Sequence, residues 1–218
     1  MKKCAVVFDL DGTLLNTLQD LAESGNMLRD EYGLPGFPVA DYAFFVGNGI
    51  KDLIKQIMPN AKNEALGDLV EQFAEIYQRN WQRNCCPYPG IDDMLAGLVE
   101  VGMPLAVLSN KPHKFTPPFV NHYFGNDLFS VVYGQRVGVP KKPDPQGVLQ
   151  VLAELDCEAK DSFFVGDSKV DMQTGTAAGM CCVGVSWGFR GSDELRSSGA
   201  DIIIDSPMQL IDYVSTLT

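Results

Sequence analysis

An apolar run, Cys4-Ala5-Val6-Val7-Phe8, leads directly into Asp9-Leu10-Asp11-Gly12-Thr13. Such β-prone residues ahead of a glycine predict a central strand buried on both faces. Helical spacing then takes over across residues 17–32, with Leu18, Leu21, Met27 and Leu28. It returns across 64–82, with Leu66, Leu69, Val70, Phe73, Ile76 and Tyr77. No strand-like run of comparable quality interrupts them. From Tyr88-Pro89-Gly90 onward the period alternates. Helices near 91–101, 113–123, 145–155 and 169–178 interleave with strands at Pro104–Leu108, Val131–Tyr133, Ser162–Val165, Cys182–Val185 and Asp201–Ile204.

Alternation of this kind means parallel βαβ units, so the expected class is α/β, a doubly wound, Rossmann-like parallel sheet. Because the first strand must join that sheet, the helical stretch is an insertion. Residues 1–14 and 83–218 then form the core, residues 15–82 a small helical domain, and a cleft lies between them.

Charge narrows the choice of partners. The 218 residues carry 17 Lys plus Arg against 28 Asp plus Glu, a net charge of −11, which argues against nucleic acid or an anionic membrane. An anionic small substrate would need a locally positive site. The Met1-Lys2-Lys3 start resembles a signal n-region, but Asp9 and Asp11 interrupt the apolar segment too early for a secretory core, and no run reaches transmembrane length. A cytoplasmic location is expected. Six cysteines without CxxC spacing read as reduced thiols, with Cys4, Cys181 and Cys182 as small apolar strand residues.

The candidate chemistry sits where strands end, the edge at which open parallel sheets bind ligands. With a period of two, Asp9 and Asp11 share one face. Like charges that close imply a bound cation, a proton held on one member, or both in turn. Ser109-Asn110-Lys111 follows Leu105–Leu108, Lys142 lies in a proline-stiffened loop, and Asp167 and Asp171 follow Phe163–Val165. Hydroxyl and backbone amides at Ser109 and Asn110 can bind phosphoryl oxygens, Lys142 can neutralise an anion, and Asp167 and Asp171 offer oxygens suited to Mg²⁺. Taken singly, each has a plainer reading. The DxDGT segment could be a polar turn, Ser109-Asn110 a helix cap, Lys142 a surface lysine, and Asp167 and Asp171 charges answering a helix dipole. Their conjunction in this order fits phosphoryl transfer.

In that order, Asp9-Leu10-Asp11-Gly12-Thr13, Ser109-Asn110-Lys111, Lys141-Lys142-Pro143-Asp144-Pro145 and Gly166-Asp167-Ser168-Lys169-Val170-Asp171 resemble the four signature motifs of the haloacid dehalogenase-like hydrolase superfamily. Within it, Phe45-Val46-Gly47-Asn48-Gly49, Ser109-Asn110-Lys111-Pro112 and Phe164-Val165-Gly166-Asp167-Ser168 look like phosphoglycolate phosphatases, although Gly134-Gln135-Arg136 departs from the acidic residue that often follows two glycines there. The resemblance implies a Mg²⁺-dependent phosphatase for a small phosphomonoester, working through an aspartyl phosphate. It makes Asp9 the nucleophile and Asp11 the group that protonates the leaving oxygen and then activates water. Lys142 serves the catalytic centre, and Ser109 and Asn110 the substrate phosphate. Thr13 either faces that phosphate or caps the next turn. Mg²⁺ would be held by the Asp9 carboxylate, the Asp11 backbone carbonyl and Asp167, with Asp171 ordering the metal waters or Lys142. The insertion resembles a closing helical cap, in which Gly47, Asn48 and Gly49 would face the organic part of the substrate. Lys51, Lys55, Arg79 and Arg83 are candidate partners for a substrate carboxylate. A β-phosphoglucomutase-like isomerase, a pyrophosphatase and a non-catalytic phosphate-binding protein are the alternatives. The expected partner is a small anionic phosphate ester, and the chain a monomer or homodimer.

Overall fold

Val6, Val7 and Phe8 form β1 (Val6–Phe8), and all three are fully buried in the computed structural model, which describes residues 4–215. Met1-Lys2-Lys3, with its signal-like charge, lies outside the described residues. After β1 come β2 (Leu15–Asn16) and four helices, α1 (Leu18–Glu31), α2 (Val39–Phe45), α3 (Ile50–Ile57) and α4 (Leu66–Asn80). The chain continues through β3 (Cys86–Pro87), α5 (Ile91–Glu100), β4 (Leu105–Pro112), α6 (Thr116–Phe124), β5 (Val131–Gln135) and α7 (Gln146–Glu154). It ends with β6 (Phe163–Gly166), α8 (Lys169–Ala178), β7 (Cys181–Val185), α9 (Ser192–Ser197), β8 (Ile202–Ile204) and α10 (Met208–Ser215).

Six strands make one parallel sheet in the order β5-β4-β1-β6-β7-β8. Numbering only those six gives 3-2-1-4-5-6, the doubly wound order whose reversal falls beside the first strand. Apolar residues cover both faces. Val6 and Phe8 pack into one cluster with Val107, Val165 and Val183, while Val7 packs into another with Ala106, Phe164 and Val148. That is why this segment is continuously apolar rather than alternating.

The chain enters and leaves the helical insertion through β2 and β3, which pair antiparallel. Fully buried Asp20 clamps that crossing. Its carboxylate accepts from the backbone N–H of Asn84 at 3.0 Å and of Cys85 at 3.0 Å, and from Asn84 Nδ2 at 2.8 Å. Within the insertion α1 packs on α2 and α4, and α3 on α4. At Gly25 the Tyr42 ring approaches so closely that a Cβ would overlap it. Two of the four helices, α2 and α3, are additional to the spans read from periodicity. Among the described residues no helix is long and apolar enough to cross a membrane.

Candidate active site

The Asp9 N–H still donates to Val165 O at 2.9 Å, so Asp9 leaves β1 on the carboxyl edge of the sheet, at the point of strand-order reversal. Its Oδ1 is 2.8 Å from Lys142 Nζ, an ion pair without an aligned hydrogen bond. Lys142 Nζ also donates to Asp171 Oδ1 at 2.7 Å. Asn110, near the end of β4, fixes the loop that carries Lys142. Its Oδ1 accepts from Lys142 N–H at 2.9 Å, and its Nδ2 donates to Lys142 O at 3.1 Å. The Asn110 side chain is thereby committed to the loop, leaving backbone amides and the Ser109 hydroxyl as the groups of that pair that could meet a phosphate.

Asp171 is equally committed. Its Oδ2 accepts from Ser168 N–H and Oγ at 3.1 and 2.6 Å, which closes a capping box at the start of α8. Asp167, just before that helix, accepts from Phe189 N–H at 2.7 Å. Gly12 is what lets Asp167 come so near. It has φ +89°, and a Cβ there would collide with the Asp167 carboxylate.

Asp9, Asp167 and Asp171 bring carboxylate oxygens within 4.8 Å of one another, all buried, with Lys142 as the ammonium among them. Burial pushes the Asp9 carboxyl up to about 6; Lys142 opposes the rise and Asp171 adds to it. Asp167 is held well above the usual carboxylate range by burial, then by Asp171 and Asp9. Burial works against a charged Lys142, but Asp171 and Asp9 outweigh it and push its pKa up. The cluster thus holds more negative charge than its lysine answers, which suits a divalent cation with oxygen ligands. Asp9 and Asp167 have the lone pairs to spare for one.

Asp11 belongs to a separate pair. Lys111, whose side chain is only 3% exposed, donates from Nζ to its carboxylate oxygens at 2.9 and 3.2 Å and to the Tyr77 hydroxyl at 2.8 Å. The same ammonium lies 4.2 Å from the Phe119 ring centroid and 4.7 Å from that of Tyr77. Burial, then the Asp11 carboxylate, pushes the Tyr77 hydroxyl well above its ordinary pKa. Two carboxylates two positions apart are therefore answered by different lysines, a solution that spacing alone did not suggest. Thr13 Oγ1 is buried without a hydrogen-bond partner among the described residues, so a ligand oxygen could satisfy it.

Above Asp9, Asp11 and Ser109 lies a cavity of about 50 Å³, closed from the insertion side by Gly47, Gly49 and Tyr77. The loop that carries those glycines is tied to the core. Asn110 Nδ2 donates to Gly47 O at 2.9 Å, and Lys141 Nζ to Asn48 O at 2.7 Å. Gly47 and Gly49 line the cavity, whereas Asn48 contributes that carbonyl contact. Lys51, Lys55, Arg79 and Arg83 are exposed and do not line it. The two site residues that sequence reasoning missed are Lys111 and Tyr77. Lys111 had a signal, since it directly follows Ser109-Asn110 at a strand end; Tyr77 was hidden among the apolar positions of its helix.

The family described as haloacid dehalogenase-like hydrolase matches residues 6–185. A phosphoglycolate phosphatase of Pseudomonas syringae pv. syringae (strain B728a) is 31% identical over 211 residues, 94% of this chain and 78% of that protein. One from Yersinia pestis is 32% identical over 203 residues, 91% of this chain and 88% of that protein. Among solved structures, a predicted phosphoglycolate phosphatase from Haemophilus somnus 129PT superposes with a TM-score of 0.91 at 27% identity, covering 98% of this chain and 99% of that one.

Proposed function

The chain belongs to the haloacid dehalogenase-like hydrolases, and from that premise we propose that it is a Mg²⁺-dependent phosphatase for a small phosphomonoester of the phosphoglycolate kind. The observation that carries this reading is the buried Asp9–Lys142–Asp171–Asp167 cluster beside a small cavity. Similarity to phosphoglycolate phosphatases at about 30% identity supports the substrate class.

In the proposed reaction, an Asp9 carboxylate oxygen attacks phosphorus and the ester P–O bond breaks, giving an aspartyl phosphate. Asp11 gives its proton to the departing ester oxygen. It then takes a proton from water as the water oxygen attacks the acyl phosphate and inorganic phosphate leaves, so one carboxyl acts as acid and then as base. Lys142 holds Asp9 in place and offsets negative charge near the phosphoryl group. Ser109, Thr13 and the backbone amides after β4 would bind phosphoryl oxygens. Asp9, Asp167 and the Asp11 carbonyl would hold Mg²⁺, which when bound offsets repulsion between a carboxylate nucleophile and a phosphate dianion. Asp171, saturated by Ser168 and Lys142, acts by fixing Lys142. Residues 15–82 would form the cap over a core of 1–14 and 83–218, with Gly47, Asn48 and Gly49 near the organic end of the substrate. The charge of −11 argues against nucleic acid as the partner of what we read as a cytoplasmic enzyme, and the buried Lys142 supplies the locally positive site that a small anionic ester needs.

The test is Mg²⁺-dependent phosphate release from phosphoglycolate beside sugar phosphates, pyrophosphate and flavin mononucleotide, with wild type and Asp9→Asn. Release by wild type alone, with phosphoglycolate leading in kcat/KM, is expected. No release from any ester would overturn the proposal.

A further inference from the structure

The phosphoryl group of a small ester accounts for Asp9, Lys142 and the carboxylate cluster; a second buried cation, paired with Asp11, lines the same cavity. Lys111 is that cation. Apart from Asp9, Asp11 and the polar end of β4, the cavity walls are apolar, with Leu21, Val46, Ile50, Leu53 and Phe73 among them. Among the described residues that line it, Lys111 is the only cationic side chain. A lysine so deeply buried calls for an electrostatic role.

Beside it stands a hydroxyl with capacity to spare. Tyr77 OH accepts from Lys111 Nζ at 2.8 Å, and no acceptor for its own proton is found among the described residues. A phenol donates one hydrogen bond as well as accepting. Tyr77 is 2% exposed, so water outside the cavity cannot readily serve that proton. An ammonium and a free hydroxyl donor, adjacent and facing one apolar cavity, form a pocket for a second anionic group. Asp11 engages the ammonium with both oxygens, at 2.9 and 3.2 Å. With three donors spent on Asp11 Oδ1, Asp11 Oδ2 and Tyr77 OH, the ammonium would meet an incoming carboxylate by giving up one of its two contacts with Asp11.

Resting on the phosphatase reading, we infer that Lys111, with the Tyr77 hydroxyl, is the specificity determinant that binds a carboxylate on the organic end of the substrate. A cavity of about 50 Å³ holds only a few waters, which favours a short organic end. The substrate class is a short phosphomonoester that carries a carboxylate. The exposed Lys51, Lys55, Arg79 and Arg83 have no part in it.

The experiment compares kcat/KM for phosphoglycolate and for 2-hydroxyethyl phosphate, whose tail is similar in size but uncharged, in wild type, Lys111→Met and Tyr77→Phe. Losing Lys111 also disturbs Asp11, but that loss falls on both esters and cancels in the ratio. Wild type is expected to prefer phosphoglycolate by about 10- to 100-fold, the worth of a hydrogen-bonded charge. Lys111→Met should bring the ratio near one, chiefly through KM for phosphoglycolate, and Tyr77→Phe, which keeps the ring packing, should lower it several-fold. If wild type hydrolyses both esters equally, or if both variants retain the preference, the inference is overturned while the phosphatase reading stands. If wild type hydrolyses neither ester nor any other phosphomonoester, the phosphatase reading falls and takes the inference with it.

Discussion

Asp9→Asn should stabilise the metal-free protein even as it abolishes turnover. Burial raises the Asp9 carboxyl from an ordinary 3.8 to about 6. Each unit corresponds to about 1.4 kcal/mol, so ionised Asp9 costs the fold about 3 kcal/mol at neutral pH. The sign follows from proton binding. Between pH 3.8 and 6 the folded state holds a proton that the unfolded state has lost, so stability falls as pH rises through that window and the full cost is present above it. Asparagine removes the charge at nearly constant shape. It also deprives Lys142 of one partner, but Asp171 remains 2.7 Å away, so a net gain of about 1–3 kcal/mol at pH 7.5 is expected, or roughly 2–10 °C in Tm. The assay is urea denaturation in EDTA from pH 4.5 to 8. A variant no more stable than wild type at pH 7.5, or a gain that does not shrink toward pH 4.5, would refute the reasoning. Adding Mg²⁺ should stabilise wild type more than Asp9→Asn and so narrow the gap.

Three further outcomes are expected. Lys142→Met leaves buried Asp9 and Asp171 without their ammonium and should cost about 3–5 kcal/mol in metal-free denaturation, with phosphatase activity lost as well. Gly12→Ala places a side chain at φ +89° against the Asp167 carboxylate. It should cost about 1–3 kcal/mol and weaken Mg²⁺ activation, seen as a higher metal concentration for half-maximal rate. Asp20→Ala strips the Asn84 and Cys85 N–H groups of their buried acceptor and should lower stability by about 2–4 kcal/mol, read as a shift in the urea midpoint without a change in slope.

The parallel core was legible because its signals are local. Residues 4–8 are apolar and β-prone and end at Asp9, and polar groups follow several later strands, so the parallel sheet and the shared edge follow from alternation, whereas the strand order comes from the structure. What escaped was shorter or depended on tertiary contact. The two-residue strands β2 and β3 carry no periodicity and exist because the chain must enter and leave the insertion side by side. Helix α3 had a readable stripe in Ile50, Leu53, Ile54 and Ile57, the last three buried, but one only eight residues long. β4 runs to Pro112, four residues beyond the predicted Leu108, because Ser109, Asn110 and Lys111 stay extended while carrying polar side chains into the site. Propensity ended the strand at the first polar residue; partners at Asp11, Gly47, Tyr77 and Lys142 keep it going. Lys111 was hidden for the same reason, since neither Asp11 nor Tyr77 is near it in sequence.

That pairing also gives two carboxylates separated by a single residue different surroundings, as the different roles proposed for them require. The charged groups around Asp9 all come from the core. Lys142 comes from the loop before α7, while Asp167 and Asp171 come from the end of β6 and the start of α8. Asp11 faces Lys111 from the core, and through it Tyr77 from α4 of the insertion. Any movement of α4 away from the sheet therefore removes one partner from the ammonium that holds Asp11, while the Lys142 and Asp171 contacts around Asp9 involve no residue of α4. In the proposed mechanism the nucleophile needs a fixed position whether or not substrate is bound, and the sheet edge with Lys142 supplies it. In the same mechanism the group proposed to act on the leaving oxygen is needed only once the organic end of the substrate is enclosed, and α4, part of the proposed cap, is the helix that reaches its lysine.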